Sequence, residues 1–106
     1  MVQGPPANIL RVYWPWLRLF VDRVNLALRI EQRPVRATSW WRDPVHNARV
    51  GGHAQSQHLI GTAVDLVGHE PDELAELFRF AGLVAVPSPR GHVHVQLFPA
   101  GVRPRV

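Results

Sequence analysis

The chain has 106 residues, enough for one domain and too few for two. Hydrophobic residues make up 46% of it, with four Trp and four Phe, which excludes a disordered chain. There is no cysteine, so disulfides, thiolate metal sites and a cysteine nucleophile are excluded, and any metal must be held by His and carboxylate.

The formal charge is +4 and all twelve basic residues are Arg. They are scattered among apolar residues, which reads as a solvated surface and not as a nucleic-acid patch. The most apolar stretch, Trp14 to Ile30, is broken by Arg18, Asp22, Arg23, Asn25 and Arg29, so no membrane span is expected. It also lacks the order of a secretory signal, and synthesis in the cytoplasm is the expectation.

In chain order, residues 1–14 carry Gly4, Pro5 and Pro6 and are expected as an irregular lead-in to a single domain spanning 1–106. From Pro15, residues Leu17, Phe20, Val21, Val24, Ala27 and Leu28 recur at helical spacing, predicting an amphipathic helix over 15–31 lying on a sheet and closed by Pro34. Residues 35–41 read as a strand, with one of Trp40 and Trp41 in the core and the other open to a groove. Residues 43–52, with Asp43-Pro44, Asn47 and Gly51-Gly52, read as a loop with room for one helical turn. Gly61 to Val67 alternates as a strand. Pro71 opens a second helix with Asp72 and Glu73 in its first turn, Leu74, Leu77, Phe78 and Ala81 as its apolar stripe, and Gly82 as its stop. A strand over 83–86, a turn over 87–91, a strand from His92 and a tail over 98–106 complete the chain. The order predicts an α+β fold, a small, mainly antiparallel sheet with helices packed on one face. Trp14 and Trp16 are expected in the core.

The last strand, His92-Val93-His94-Val95-Gln96-Leu97, alternates polar and apolar residues, so His92, His94 and Gln96 share one face and Val93, Val95 and Leu97 pack inward. The two histidines stand about 7 Å apart along the strand. That spacing fits a metal ligand beside an acid/base group, and it fits equally an exposed face that carries two histidines. Upstream, Asp65 sits among Thr62, Ala63, Val64 and Leu66, where a carboxylate needs a partner, either an Arg or a metal. Gly61 and Ala63 are expected on the same face as Asp65, leaving space for an ion, with His58 turned back over it.

The pattern Ser56, His58, Gly61, Ala63, Asp65, followed by His92-Val93-His94, resembles the zinc D-alanyl-D-alanine carboxypeptidases and the related phage L-alanyl-D-glutamate endopeptidases, which share the DD-peptidase/Hedgehog-type fold. The stretch from Ser39-Trp40-Trp41-Arg42 through Asn47 to Gly51-Gly52 is similar to the same family, so the resemblance covers residues 39–97. It implies His58, Asp65 and His94 as ligands of Zn2+, with a fourth position left for water. It further implies His92 as catalytic acid/base and Arg42 as substrate anchor. Trp41, Gln96 and His53 are expected around the substrate or the ligands, with His53 also read as an exposed loop residue. Ser56 is read as fixing its loop, because nothing near it forms a Ser-His-Asp arrangement. His46 and His69 are read as surface residues. Two departures stand out: Val93 where many relatives carry an aromatic, and a brief connection between Asp65 and His92.

The function implied is hydrolysis of a peptidoglycan stem peptide by a monomer that binds neither nucleic acid nor membrane. A phage or prophage lysis enzyme released to the wall, or a virion-associated one, suits these features. The alternative is a non-catalytic zinc module that binds the wall or builds a virion.

Overall fold

Strand β4 (His92–Gln96) forms where polar and apolar residues alternate, and it is the centre of the molecule's architecture. In the computed structural model, which describes residues 2–102 and 104, the elements are α1 (Ala7–Ile30), β1 (Arg36–Ser39), α2 (Pro44–Arg49), a 3-10 turn (Gln57–Leu59), β2 (Ala63–Val67), α3 (Pro71–Phe80), β3 (Val84–Pro87) and β4. The four strands make one antiparallel sheet in the order β1-β2-β4-β3.

Register decides what each face carries. Val64 pairs with Val95 and Leu66 with Val93, and all four are buried. Their neighbours Asp65 and His94 pair directly and project to the other face. The apolar face is covered by Phe20 and Ala27 of α1 and by Leu74, Ala75 and Phe78 of α3, forming one core with Ala85 and Leu83. The expected α+β fold, with helices on one side of an antiparallel sheet, is thus found. Pro71 opens α3, Asp72 and Glu73 occupy its first turn, and Gly82 follows it at φ +87°, a left-handed conformation that glycine adopts without a Cβ clash.

Four expectations need correction. Residues 7–14 are helical and not an irregular lead-in. Pro6 precedes the first turn, where its carbonyl accepts from the N–H groups of Ile9 and Leu10, and Pro15 breaks the helix inside and not at its start. Proline lacks the N–H for the carbonyl four residues back and crowds it, so Tyr13 is displaced to φ −107°, ψ 15° and α1 kinks there. Trp14 is 53% exposed, because the kink leaves its side chain on the outer face, whereas Trp16 packs against the core as expected. β2 begins at Ala63, and Gly61 lies before it in a turn at φ +83°. A Cβ on Gly61 would stand 2.4 Å from Pro5 and 2.7 Å from Leu17, so this glycine admits the N-terminal segment and makes no room for an ion. β1 ends at Ser39 and does not reach Trp41; Trp40 packs against the core, and the indole N–H groups of Trp40 and Trp41 donate to the carbonyls of Gly61 and Leu59. In the tail, residues 98–102 carry turns, while Arg103, Arg105 and Val106 lie outside the described residues, as does Met1.

Candidate metal centre

Three chain segments meet on the polar face of the sheet. Asp65 and His94 come from adjacent strands in direct register, with Asp65 Oδ1 2.9 Å from His94 Nδ1. His58 comes from the 3-10 turn, whose start is capped by Ser56: its hydroxyl oxygen accepts from the His58 N–H at 3.2 Å. The His58 ring is buried and faces Asp65 Oδ2 with Nε2 at 3.3 Å. One ligand atom from each of His58, Asp65 and His94 lies within 4.8 Å of the others.

The protonation pattern of this cluster follows from its neighbours. His58 Nδ1 contacts the backbone carbonyl of Trp40, which can only accept, so Nδ1 carries the proton and Nε2 presents a lone pair. That Nε2 is buried without a hydrogen-bond partner, although a carboxylate oxygen lies close by. A lone pair aimed at an anionic acceptor is unfavourable unless a cation or a proton lies between them. The donor set is two imidazole nitrogens and one carboxylate oxygen, the composition of a catalytic zinc site with an open position. The residues present therefore fit a metal ion, and the orphaned His58 nitrogen is the observation that shows it.

Burial alone would raise the Asp65 carboxyl, but the contacts with His58 and His94 outweigh it and hold the group well below the usual carboxylate range. The Asp65 contact pushes the His94 imidazole up from its ordinary value against the opposing effect of burial. In the metal-free protein a proton on His94 Nδ1 thus takes the place that a cation would fill.

Arg42 is the fourth polar side chain at the site. Its Nη2 stands 3.7 Å from Asp65 Oδ2 and its backbone N–H donates to the His58 carbonyl at 3.1 Å, tying the residue before α2 to the 3-10 turn. Between Ala37 and Ser39 the pairing of β1 with β2 slips by one residue, a bulge that sets Ser39 opposite Asp65. His92 lies on the same face two residues before His94, at the start of β4, paired with Val67 and half-buried. Trp41 lines a cavity of about 370 Å³ together with Arg42, His46 and Arg49. His53 is exposed and lines a larger cavity of about 730 Å³ together with His94 and Gln96. His46 and His69 are exposed, as expected.

Sequence reasoning gave no role to Asn47, which is 3% exposed and holds Arg42 in place. Its Oδ1 accepts from Arg42 Nη1 at 3.4 Å and its Nδ2 donates to the His53 carbonyl at 2.8 Å. Gly52 permits this arrangement, since a Cβ there would stand 2.1 Å from Asn47 Oδ1 and 3.0 Å from Arg42 Nη1. Gly52→Ala is expected to cost about 1–3 kcal/mol of stability through overpacking and to displace the Arg42 guanidinium. Gly51→Ala is the contrast: nothing lies within 4 Å of its Cβ, but its φ of +74° strains any side chain, so about 1–2 kcal/mol is lost while Arg42 stays put. Urea titration of both variants, read beside substrate KM, separates the two effects: KM should rise in Gly52→Ala alone.

The family model described as Peptidase M15 matches residues 21–96, more than two thirds of the chain and inclusive of Arg42, His58, Asp65, His92 and His94. The structure is similar to that of the L-Ala D-Glu endopeptidase ChiX of Serratia marcescens, with a TM-score of 0.57 and 22% sequence identity over 92% of this chain and 90% of that one. No curated protein matches the chain.

Proposed function

The chain belongs to the peptidase M15 family, and from that premise we propose that it is a zinc-dependent hydrolase of the peptidoglycan stem peptide, of the L-Ala–D-Glu endopeptidase type. The observation that carries this reading is the convergence of His58 Nε2, His94 Nδ1 and the Asp65 carboxylate with a lone pair left orphaned among them. The substrate class follows the activity in the name of the Serratia enzyme, whose fold this chain shares.

His58, Asp65 and His94 would hold the ion. When bound, zinc supplies a Lewis acid for the scissile carbonyl and lowers the pKa of water at the open position. The other roles belong to side chains. Arg42 presents a planar pair of N–H donors beside Asp65, suited to orienting a carboxylate or a carbonyl oxygen of the peptide. His92, on the ligand face of β4, would serve as acid/base, taking a proton from the attacking water and returning it to the leaving amine. His94 and Gln96 line a cavity of about 730 Å³, and Trp41 and Arg42 line one of about 370 Å³. No helix among the described residues is long and apolar enough to cross a membrane. Action at the wall after release from a lysing cell, by a monomer, belongs to the same reading.

Purified protein incubated with peptidoglycan should release fragments with newly exposed amino groups on D-Glu, detected by mass spectrometry, and a chelator should stop the release. No cleavage across several wall chemotypes would overturn the proposal. A non-catalytic zinc module is the competing reading, and His92→Ala separates the two. For an enzyme this variant should bind zinc as the wild type does while turnover falls by about 10²–10⁴-fold; unchanged turnover would remove His92 from the mechanism.

A further inference from the structure

The two imidazoles of the cluster face the same requirement, a proton on the ring nitrogen that points away from Asp65, and the fold meets it differently for each. His58 meets it directly, through the Trp40 carbonyl. At His94 the Nε2 nitrogen instead contacts a side-chain oxygen, Gln96 Oε1, at 2.7 Å. An amide can offer either its oxygen or its NH2, so Gln96 fixes nothing unless something fixes Gln96.

The Phe98 carbonyl does so. Gln96 Nε2 donates to it at 2.7 Å, and because a carbonyl only accepts, the NH2 must lie on that side. The amide oxygen then faces His94 and Nε2 carries a proton, so Nδ1 is the nitrogen that would exchange its proton for a cation beside Asp65. The Phe98 backbone is itself anchored by the buried Gln57, next to His58. Gln57 Oε1 accepts from the Phe98 N–H at 3.1 Å and from the Thr62 hydroxyl at 3.1 Å, and Gln57 Nε2 donates to the Phe98 carbonyl at 2.6 Å. The Leu97 N–H donates to the Thr62 carbonyl at 3.0 Å, completing the attachment of the segment after β4.

We infer that Gln96 is a positioning residue for the metal centre: oriented by the Phe98 carbonyl, it holds the His94 ring and its tautomer so that Nδ1 is the ligand atom. The inference rests on the proposed zinc site at His58, Asp65 and His94. It adds that the site is set up by a hydrogen-bonded chain running through the backbone after β4, to which Gln57 ties the turn that carries His58. Partners that hold a ligating imidazole in this way typically contribute about 10–100-fold in metal affinity.

The test is zinc affinity by competition with a chromophoric chelator, for the full chain and three variants. Gln96→Leu, which has no acceptor for Nε2–H, should bind zinc about 10–100-fold more weakly. Gln96→Glu keeps an acceptor at that place and should stay within about threefold of the wild type, as expected if the hydrogen bond and not side-chain bulk matters. His58→Ala serves as control: if it binds zinc like the wild type, the zinc reading of the cluster fails, whatever Gln96 does. If His58→Ala loses zinc while Gln96→Leu does not, the inference about Gln96 alone is overturned. Circular dichroism confirms that each variant is folded.

Discussion

Replacing Asp65 with Asn is expected to abolish zinc binding and to lower stem-peptide hydrolysis by about a thousandfold or more, while leaving the metal-free fold nearly as stable as before. The first half follows from charge. The carboxylate is the only anionic member of the cluster, and its low pKa keeps it ionised throughout the working pH range. Removing it takes away one ligand and the charge that balances the ion, and with the ion goes several kcal/mol of carbonyl polarisation, at about 1.4 kcal/mol per factor of ten. The second half follows from hydrogen bonding. The Asn amide has the size of the carboxylate but brings an NH2, which can donate to one of the two imidazole nitrogens that now face Asp65. Thermal unfolding with and without zinc reads both halves at once. Zinc at a hundredfold above its Kd should add about 2.7 kcal/mol to the wild type, raising its Tm by about 10 °C or more. Asp65→Asn should show no such rise, and its Tm in chelator should match the wild type within a few degrees. A zinc-dependent rise retained in Asp65→Asn would exclude Asp65 as a ligand and with it the assignment of the site.

How much of this was legible in the amino-acid sequence depends on whether the signal was local. β4 was fully legible, because a period of two in His92-Val93-His94-Val95-Gln96 maps directly onto a strand with one buried and one open face. The proposed ligand trio came from the family resemblance; the residues alone said only that a carboxylate between apolar strand residues needs a partner, and the register sets His94 opposite it. The start of α1 was not legible. Pro15 signals a boundary, and the helical turns before it are too few for the spacing of Ile9 and Leu10 to register as a pattern. Gly61 misled because a strand-like alternation ran through it, whereas its missing side chain answers to Pro5 and Leu17, far away in the chain. Gln57 was missed for the same reason. Nothing near Gln57 in sequence says that its amide closes on Phe98, 41 residues on. Buried polar side chains with distant partners are set by tertiary structure, and local pattern carries no trace of them.

The largest loss of stability is expected far from the metal, at Phe78. Its ring is fully buried on the inner face of α3, in the cluster that contains Phe20, Leu74, Val93 and Val95. Phe78→Ala removes an aromatic ring from a packed core and should cost about 3–5 kcal/mol, a large part of the roughly 5–15 kcal/mol that holds a domain of this kind together. Urea unfolding should show a lowered midpoint with an unchanged slope, because the same surface is exposed on unfolding. The position also tests how the two faces of the sheet depend on each other. Val93 and Val95, which meet Phe78 in the core, flank His94 along β4, and Val64 and Leu66 flank Asp65 along β2. The site is therefore held by the packing beneath it, and zinc, which binds only the assembled cluster, should return part of the lost stability in proportion to its affinity. If Phe78→Ala is destabilised as expected and zinc raises its midpoint as it does that of the wild type, the cluster is intact whenever the chain is folded. If zinc binds but leaves the midpoint unmoved, the ion is held by histidines that do not need the fold, and a preformed centre between β2, β4 and the 3-10 turn is excluded.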